Sequence, residues 1–194
     1  MAITGGEIIM NKLMDKNWIF SGLILAIVVL ILIRITPESV DPVVKLVISK
    51  NRASISNIYQ PRDVEFTKEV MVDRLNLLDK SRFSHPKLGN IAGYSDDFFV
   101  DVQHRIQVLK GGQFRFMIGS DDGFSLSING KKICEHLGDR PYSVQPCFVQ
   151  LEPGTHDFNL SYFQGFGNSG LTVQYALGSD KPRWFGDNSS SIKF

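Results

Sequence analysis

The sequence has little cysteine, almost no excess charge and none of the short motifs that mark hydrolytic or zinc chemistry. Only Cys134 and Cys147 occur, and the four histidines, His85, His104, His136 and His156, fall in different segments. There is no Cys/His cluster with metal-ligand spacing, no G-x-S-x-G elbow and no H-E-x-x-H run. A structural zinc site and the common nucleophile-based hydrolases are excluded on that ground, and the chain reads as a non-enzyme. Its 21 Lys and Arg residues balance 20 Asp and Glu residues, and after Arg34 the two counts are 18 and 18. Such a chain lacks the basic face that neutralises phosphates, so no nucleic-acid partner is expected.

One long apolar run stands out. Residues 18–33 read WIFSGLILAIVVLILI, and Arg34 ends the stretch. At about 1.5 Å per residue, residues 18–35 rise just under the ~30 Å of a bilayer core, which predicts a short transmembrane helix with Trp18 at the interface. A cleaved signal peptide is the alternative, but the run is longer than a signal h-region and no small-x-small site follows it. The expected organisation is a cytoplasmic tail over 1–17, a membrane helix over 18–35, a stalk or first strand over 36–59, a sandwich over 60–180 and a polar tail over 181–194. Lys12 and Lys16 against Arg34 give a slight positive-inside bias towards a cytoplasmic N-terminus. The two cysteines flank the polar loop CEHLGDRPYSVQPC. They read either as a disulfide, which would place the C-terminal domain in the periplasm or outside the cell, or as two buried free thiols.

Downstream the period becomes two. Phe98, Val100, Val102, His104, Ile106 and Val108 alternate with Phe99, Asp101, Gln103, Arg105 and Gln107, and Phe114, Phe116 and Ile118 resume the pattern after Lys110-Gly111-Gly112, which reads as a hairpin turn. Ser120-Asp121-Asp122-Gly123 forms a turn, Phe124, Leu126 and Ile128 a further strand, and Asn129-Gly130 a second hairpin turn. Residues 71–80 are expected to form a short helix. Several short strands with glycine turns predict a mainly β, antiparallel sandwich.

On the residues alone, the adjacent carboxylates of Asp121 and Asp122 are either a steric turn choice or an oxygen site for a hard divalent cation. Being adjacent, they cannot easily flank a glycosidic bond as a hydrolytic pair. The order GGQFRFMIGSDDGFSLSINGKKI followed by VQLEPGTHDFNLSYFQGFGNSGLTVQYA resembles the anthrax protective-antigen-like domain, the PA fourteen domain of bacterial toxins, glycosidases and fungal adhesins. The match runs from Phe98 to Leu177. In calcium-dependent adhesins of that family an Asp pair, often joined by a cis peptide, binds calcium with a side-chain amide and backbone carbonyls of a later loop, and sugar hydroxyls complete the shell. The resemblance therefore implies calcium as cofactor, with Asp121, Asp122, Gln164 and the carbonyls of Phe166 and Asn168 as ligands. Gln164 departs from the asparagine of those adhesins by one methylene. Phe166, Tyr142, Arg140 and His136 are the candidate sugar contacts on neighbouring loops. The expected function is a membrane-anchored carbohydrate-binding module outside the cytoplasm. The alternative is an interaction module of a multi-subunit envelope complex, with membrane-protein partners and no sugar.

Overall fold

The computed structural model describes residues 16–35 and 39–194, and the chain divides after Glu38 into two units, each described by itself. The first contains α1 (Lys16–Ile35). Nothing between Lys16 and Arg34 is proline or charged, so the i to i−4 ladder is uninterrupted. Its large apolar side chains from Trp18 to Ile33 are all 44–68% exposed. Among the described residues, however, no helix is long and apolar enough to cross a membrane, so the span expected over 18–35 is not shown. The uncharged stretch between Lys16 and Arg34 rises only about 25 Å, short of the ~30 Å bilayer core. The tail expected over 1–17 lies, up to Asp15, outside the described residues.

The second unit carries the strands β1 (Val44–Asn51), β2 (Val64–Val72), β3 (Asn76–Leu77), β4 (Phe98–Val108), β5 (Gly112–Asp121) and β6 (Phe124–Ile128). They are followed by β7 (Lys131–His136), β8 (Ser143–Leu151), β9 (Gly154–Gln164), β10 (Gly170–Leu177), β11 (Arg183–Trp184) and β12 (Ile192–Lys193). One antiparallel sheet has the order β2-β1-β4-β9-β6-β7 with β12 beside β4; the other has β11-β10-β5-β8 with β3 beside β10. The alternating residues of β4, β5, β6 and β9 meet between the sheets. Phe114, Phe116, Ile118, Phe124, Leu126 and Phe158 are all buried there, so the sandwich read from the sequence is the observed core arrangement.

Two local expectations differ from the structure. Lys110-Gly111-Gly112 is not a hairpin turn, because β4 and β5 lie in different sheets. Alternation has the same parity on either side of a hairpin and of an arch between sheets, so the pattern could not separate them. Residues 71–80 are not helical: β2 ends at Val72 and β3 pairs Leu77 with Leu171. As an edge strand exposed along most of both faces, β2 hides its alternation. The Asn129-Gly130 turn does join β6 to β7, with φ of 52° and 76°.

Of the two readings of residues 36–59, stalk or first strand, the structure has the strand. β1 is an interior strand between β2 and β4, and the following segment folds over the outer face of its sheet. There Ile55 and Ile58 cover Phe99 and Phe163 as a second small cluster, with the Arg62 guanidinium 4.1 Å from the Phe99 ring centroid. The C-terminal residues, read as a polar tail over 181–194, pack on the sandwich. Phe185 and Ile192 are buried, and Ser189 Oγ accepts from the backbone N–H groups of Ser191 and Ile192 at 3.0 Å each.

Cys134 and Cys147 form a disulfide with a Cα–Cα distance of 5.9 Å. It joins β7, the edge of one sheet, to β8, the edge of the other. Replacing both cysteines by alanine should lower stability by about 2–3 kcal/mol, the loop-closure contribution for a bridge of this span. A urea midpoint unchanged from wild type would show that the clip contributes nothing.

Candidate functional site

Two crossings between the sheets meet at one end of the sandwich. The first, Asp121 to Phe124, takes the chain from β5 to β6; the second, Gln164 to Gly170, takes it from β9 to β10. Register brings them together, since Gly170 lies opposite Asp121 and Phe124 opposite Tyr162. The Asp121–Asp122 peptide bond is cis, the geometry the resemblance attaches to such a pair. Their side chains are 6% and 4% exposed.

Backbone donors hold the carboxylates. Tyr142 N donates to Asp121 Oδ2 at 3.0 Å, Arg140 N to Asp122 Oδ1 at 3.3 Å and Gly165 N to Asp122 Oδ2 at 2.8 Å. Gly165 must be glycine here: a Cβ would fall 2.5 Å from the Ile55 carbonyl oxygen. The Tyr162 hydroxyl donates to the Asp121 carbonyl and lies 3.0 Å from Gln164 Oε1. Gly170 N donates to the same hydroxyl at 3.3 Å, and Gln164 Nε2 donates to the Asn168 carbonyl at 2.8 Å. Tyr162 is therefore the hub that ties both crossings together, and burial pushes its hydroxyl pKa well above the usual value.

Electrostatics leave the pair short of positive charge. Burial raises Asp121, against the opposing effects of the Tyr142 N–H and the Arg140 charge. Burial, against the Gly165 and Arg140 N–H groups and with lesser help from the Asp139 and Asp121 charges, pushes Asp122 up to about 6. Arg140 hydrogen-bonds neither carboxylate through its side chain. Its Nη2 donates to Ser120 Oγ at 2.6 Å and to the Ser143 carbonyl at 3.3 Å, and its Nε is buried without a partner.

Such a pair fits a hard cation. Gln164 fits it too. Turning its amide end over would let Nε2 donate to the Tyr162 hydroxyl and set Oε1 beside the Asn168 carbonyl, two oxygens that a cation would join. Among the described residues no group of three or more His, Cys, Asp or Glu could hold a metal ion, so amide, carbonyl and water oxygens would have to complete its shell.

The structure thus brings together Asp121, Asp122, Gln164, Asn168, Arg140 and Tyr142, and places Phe166 on the rim, 88% exposed. Arg140 and Tyr142 have a part here that their side chains did not suggest. Their backbone N–H groups hold the aspartates, and the Tyr142 hydroxyl is bonded to Thr172 Oγ1 at 2.6 Å. His136 sits half-buried on β7 opposite Phe124 and makes no side-chain hydrogen bond to this group. Sequence reasoning missed Asp139 and the role of Tyr162, although Tyr162 lies in the second of the two stretches that carry the resemblance.

No family model matches the sequence, and no curated protein does. Solved structures match. A PA14 sugar-binding domain from an RTX adhesin superposes with a TM-score of 0.60 at 16% identity, covering 76% of this chain and 96% of that one. The epithelial adhesin 9 A domain from Candida glabrata, in complex with Galβ1-3GlcNAc, gives 0.53 at 12% identity, covering 77% and 91%. An anti-sigma factor domain-containing protein from Clostridium clariflavum gives 0.57 at 17% identity, and the chain, 79% covered, spans 47% of its length. Identities this low speak to the fold, and in fold residues 39–194 are a PA14-like β-sandwich.

Proposed function

We propose that the sandwich is a carbohydrate-binding module, with its sugar site at the meeting of the two crossings and a calcium ion supporting it, and that α1 tethers it to a membrane. The observation that carries the sugar reading is Phe166. The ring stands in water between Gly165 and Gly167 on a loop firmly bonded at its root, where Gly165 N meets Asp122 and Arg82 Nη1 donates to the Gly167 carbonyl at 3.0 Å. An aromatic face held in solvent suits the C–H side of a pyranose, while convergent polar groups beside it fix orientation. The names of two structural neighbours, a sugar-binding domain and an adhesin solved with a disaccharide, support the same reading.

Asp121 and Asp122 would hold the calcium, joined by Gln164 and the carbonyls of Phe166 and Asn168. Bound there, the ion would offset their charge and offer coordination to vicinal hydroxyls. The protein's own part is to keep the loop root fixed through Tyr162 and Gly165. For α1, a lipid phase is the cover that its exposed apolar surface calls for, and the flexible stem of Arg34 lets the charge reach the headgroups beyond a short helix. The disulfide supports an oxidising compartment for the sandwich, periplasmic or extracellular, with the N-terminus cytoplasmic.

A glycan array probed with the full-length protein, in calcium and in chelator, tests this. Phe166→Ala should weaken glycan binding by about tenfold, or 1.4 kcal/mol, while its melting temperature stays at the wild-type value, as expected for an exposed side chain. Glycan binding indifferent to both chelation and Phe166→Ala would refute the site. A blank array together with a membrane protein that co-purifies through Val144 and Phe148, exposed on β8, would favour the interaction-module reading instead. Release of the chain from membranes by alkaline carbonate would exclude the tether.

A further inference from the structure

The loop that carries Phe166 shares a wall with a second cavity, of about 440 Å³, lined by Asp79, Lys80, Arg82, Phe83, Asn90 and Tyr94 among others. This volume lies within the range of ligand pockets and accommodates a single sugar unit. Phe83 packs beneath it, 3% exposed, with its ring stacked on Tyr162 at 5.8 Å and 12° between planes. The cavity is thus one ring away from the hydroxyl that holds Asp121. Two bonds fix its wall to the Phe166 loop: Arg82 Nη1 to the Gly167 carbonyl at 3.0 Å, and Phe83 N to Ser169 Oγ at 2.8 Å.

The lining is rich in donors that nothing else uses. Among the described residues Lys80 has no carboxylate partner and the Tyr94 hydroxyl no hydrogen bond. Asn90 is engaged only through Oδ1, which accepts from Gly93 N, and Arg82 only through Nη1. Two further ammonium groups, Lys50 and Lys68, lie 6.0 Å and 5.8 Å from the Tyr94 ring centroid. Lys50 is already paired with Asp96 at 3.6 Å, so the lining itself sets two cations, Lys80 and Arg82, against one carboxylate, Asp79. A neutral sugar would leave that charge unanswered, whereas a carboxylate or phosphate oxygen set would accept from several of these donors at once.

We propose that this cavity binds an acidic sugar unit, so that the module recognises an anionic polysaccharide, one unit at the Asp121–Asp122 end and a charged one over Phe83. The saccharide half of this statement rests on the function proposed above; the anionic half rests on the cavity alone. Lys80 is the specificity-determining residue, because its charge is free. Arg82 is mainly a positioning residue for the Phe166 loop.

Titration calorimetry of the full-length protein with matched pairs is the test: oligogalacturonate against its methyl ester, mannose 6-phosphate against mannose, and glucuronate and inorganic phosphate alone. The acidic member of a pair should bind about tenfold tighter at low salt, with the preference shrinking as salt is raised. The uronate and phosphate arms distinguish carboxylate from phosphate recognition. Lys80→Asn suits the positive φ of 47° at that position, and should abolish the preference without changing the melting temperature or the affinity for the neutral member. Equal binding within every pair, no binding by any acidic probe, or a preference that survives Lys80→Asn would each overturn the proposal. An acid preference that persists in chelator and in Phe166→Ala keeps the cavity even if the calcium site fails. Neutral-sugar binding that needs Phe166 but shows no acid preference keeps the earlier reading and removes this one.

Discussion

Phe185→Ala is expected to lower the unfolding free energy by about 3–5 kcal/mol, the usual cost of emptying a large aromatic site in a core. The side chain is fully buried, with its ring centroid 4.2 Å from that of Phe158 and 4.6 Å from that of Phe194. Its backbone closes the sheet edge at the same point. Phe185 N donates to the Val173 carbonyl and Leu75 N to the Phe185 carbonyl, each at 2.9 Å. Repacking has little to draw on, because the neighbouring rings are themselves held by both sheets. Against a typical domain stability of about 5–15 kcal/mol, such a loss should move the urea midpoint by a large fraction of its value. The neighbouring change Trp184→Ala, on a side chain that is only partly buried, should cost clearly less. A Phe185→Ala loss below about 1 kcal/mol would mean that the C-terminal segment is not part of the core, since a surface change costs no more than that.

That segment also shows what sequence periodicity hides. Strands with one face buried were legible: Phe114, Phe116 and Ile118 on β5 and Phe124, Leu126 and Ile128 on β6 fill the core as their spacing predicts. Phe185, Ile192 and Phe194 carry no such spacing, because the strands of this segment, β11 and β12, are only two residues long each. Their serine-rich surroundings read as a polar tail. Phe99 and Phe163 were hidden for the opposite reason. Each lies on the outer face of its strand and is buried only because residues 52–63 fold across it, a long-range event with no local signature. At the site, Asp121, Asp122 and Gln164 were legible through a motif, whereas the donors that hold them were not. The N–H groups of Arg140, Tyr142 and Gly165 have no side-chain identity, so a reading of residue types does not find them. Asp139 reaches Asp122 through loop geometry, which a sequence does not display.

In the absence of calcium, stability should fall as the pH rises from about 4 to 6. Asp122 has a folded-state pKa of about 6, above the ordinary 3.8, so the folded protein holds its proton across this window while the unfolded chain releases it. The stabilisation is therefore fully present below the ordinary value and is lost as the pH passes through the raised one, by about 3 kcal/mol at most. Asp121, also raised by burial, acts in the same sense. His104 acts in the opposite sense. Burial lowers its pKa, so it favours the folded state above the ordinary imidazole value and loses that contribution as the pH falls. The informative quantity is thus the difference between wild type and Asp122→Asn, in which the His104 contribution cancels. The wild-type minus Asp122→Asn stability should slope downward between pH 4 and 6 in chelator. The calcium ion proposed at this pair would stabilise the ionised form, so adding it should flatten that slope and contribute about 2.7 kcal/mol at neutral pH when present at a hundred times its dissociation constant. Below pH 6 protons should compete the ion away. Urea titrations at pH 4.5, 6 and 7.5, with calcium and with chelator, resolve the two effects. If the two proteins run parallel in chelator, the Asp122 carboxyl is not raised by its burial; if calcium shifts neither at pH 7.5, the pair does not hold the ion.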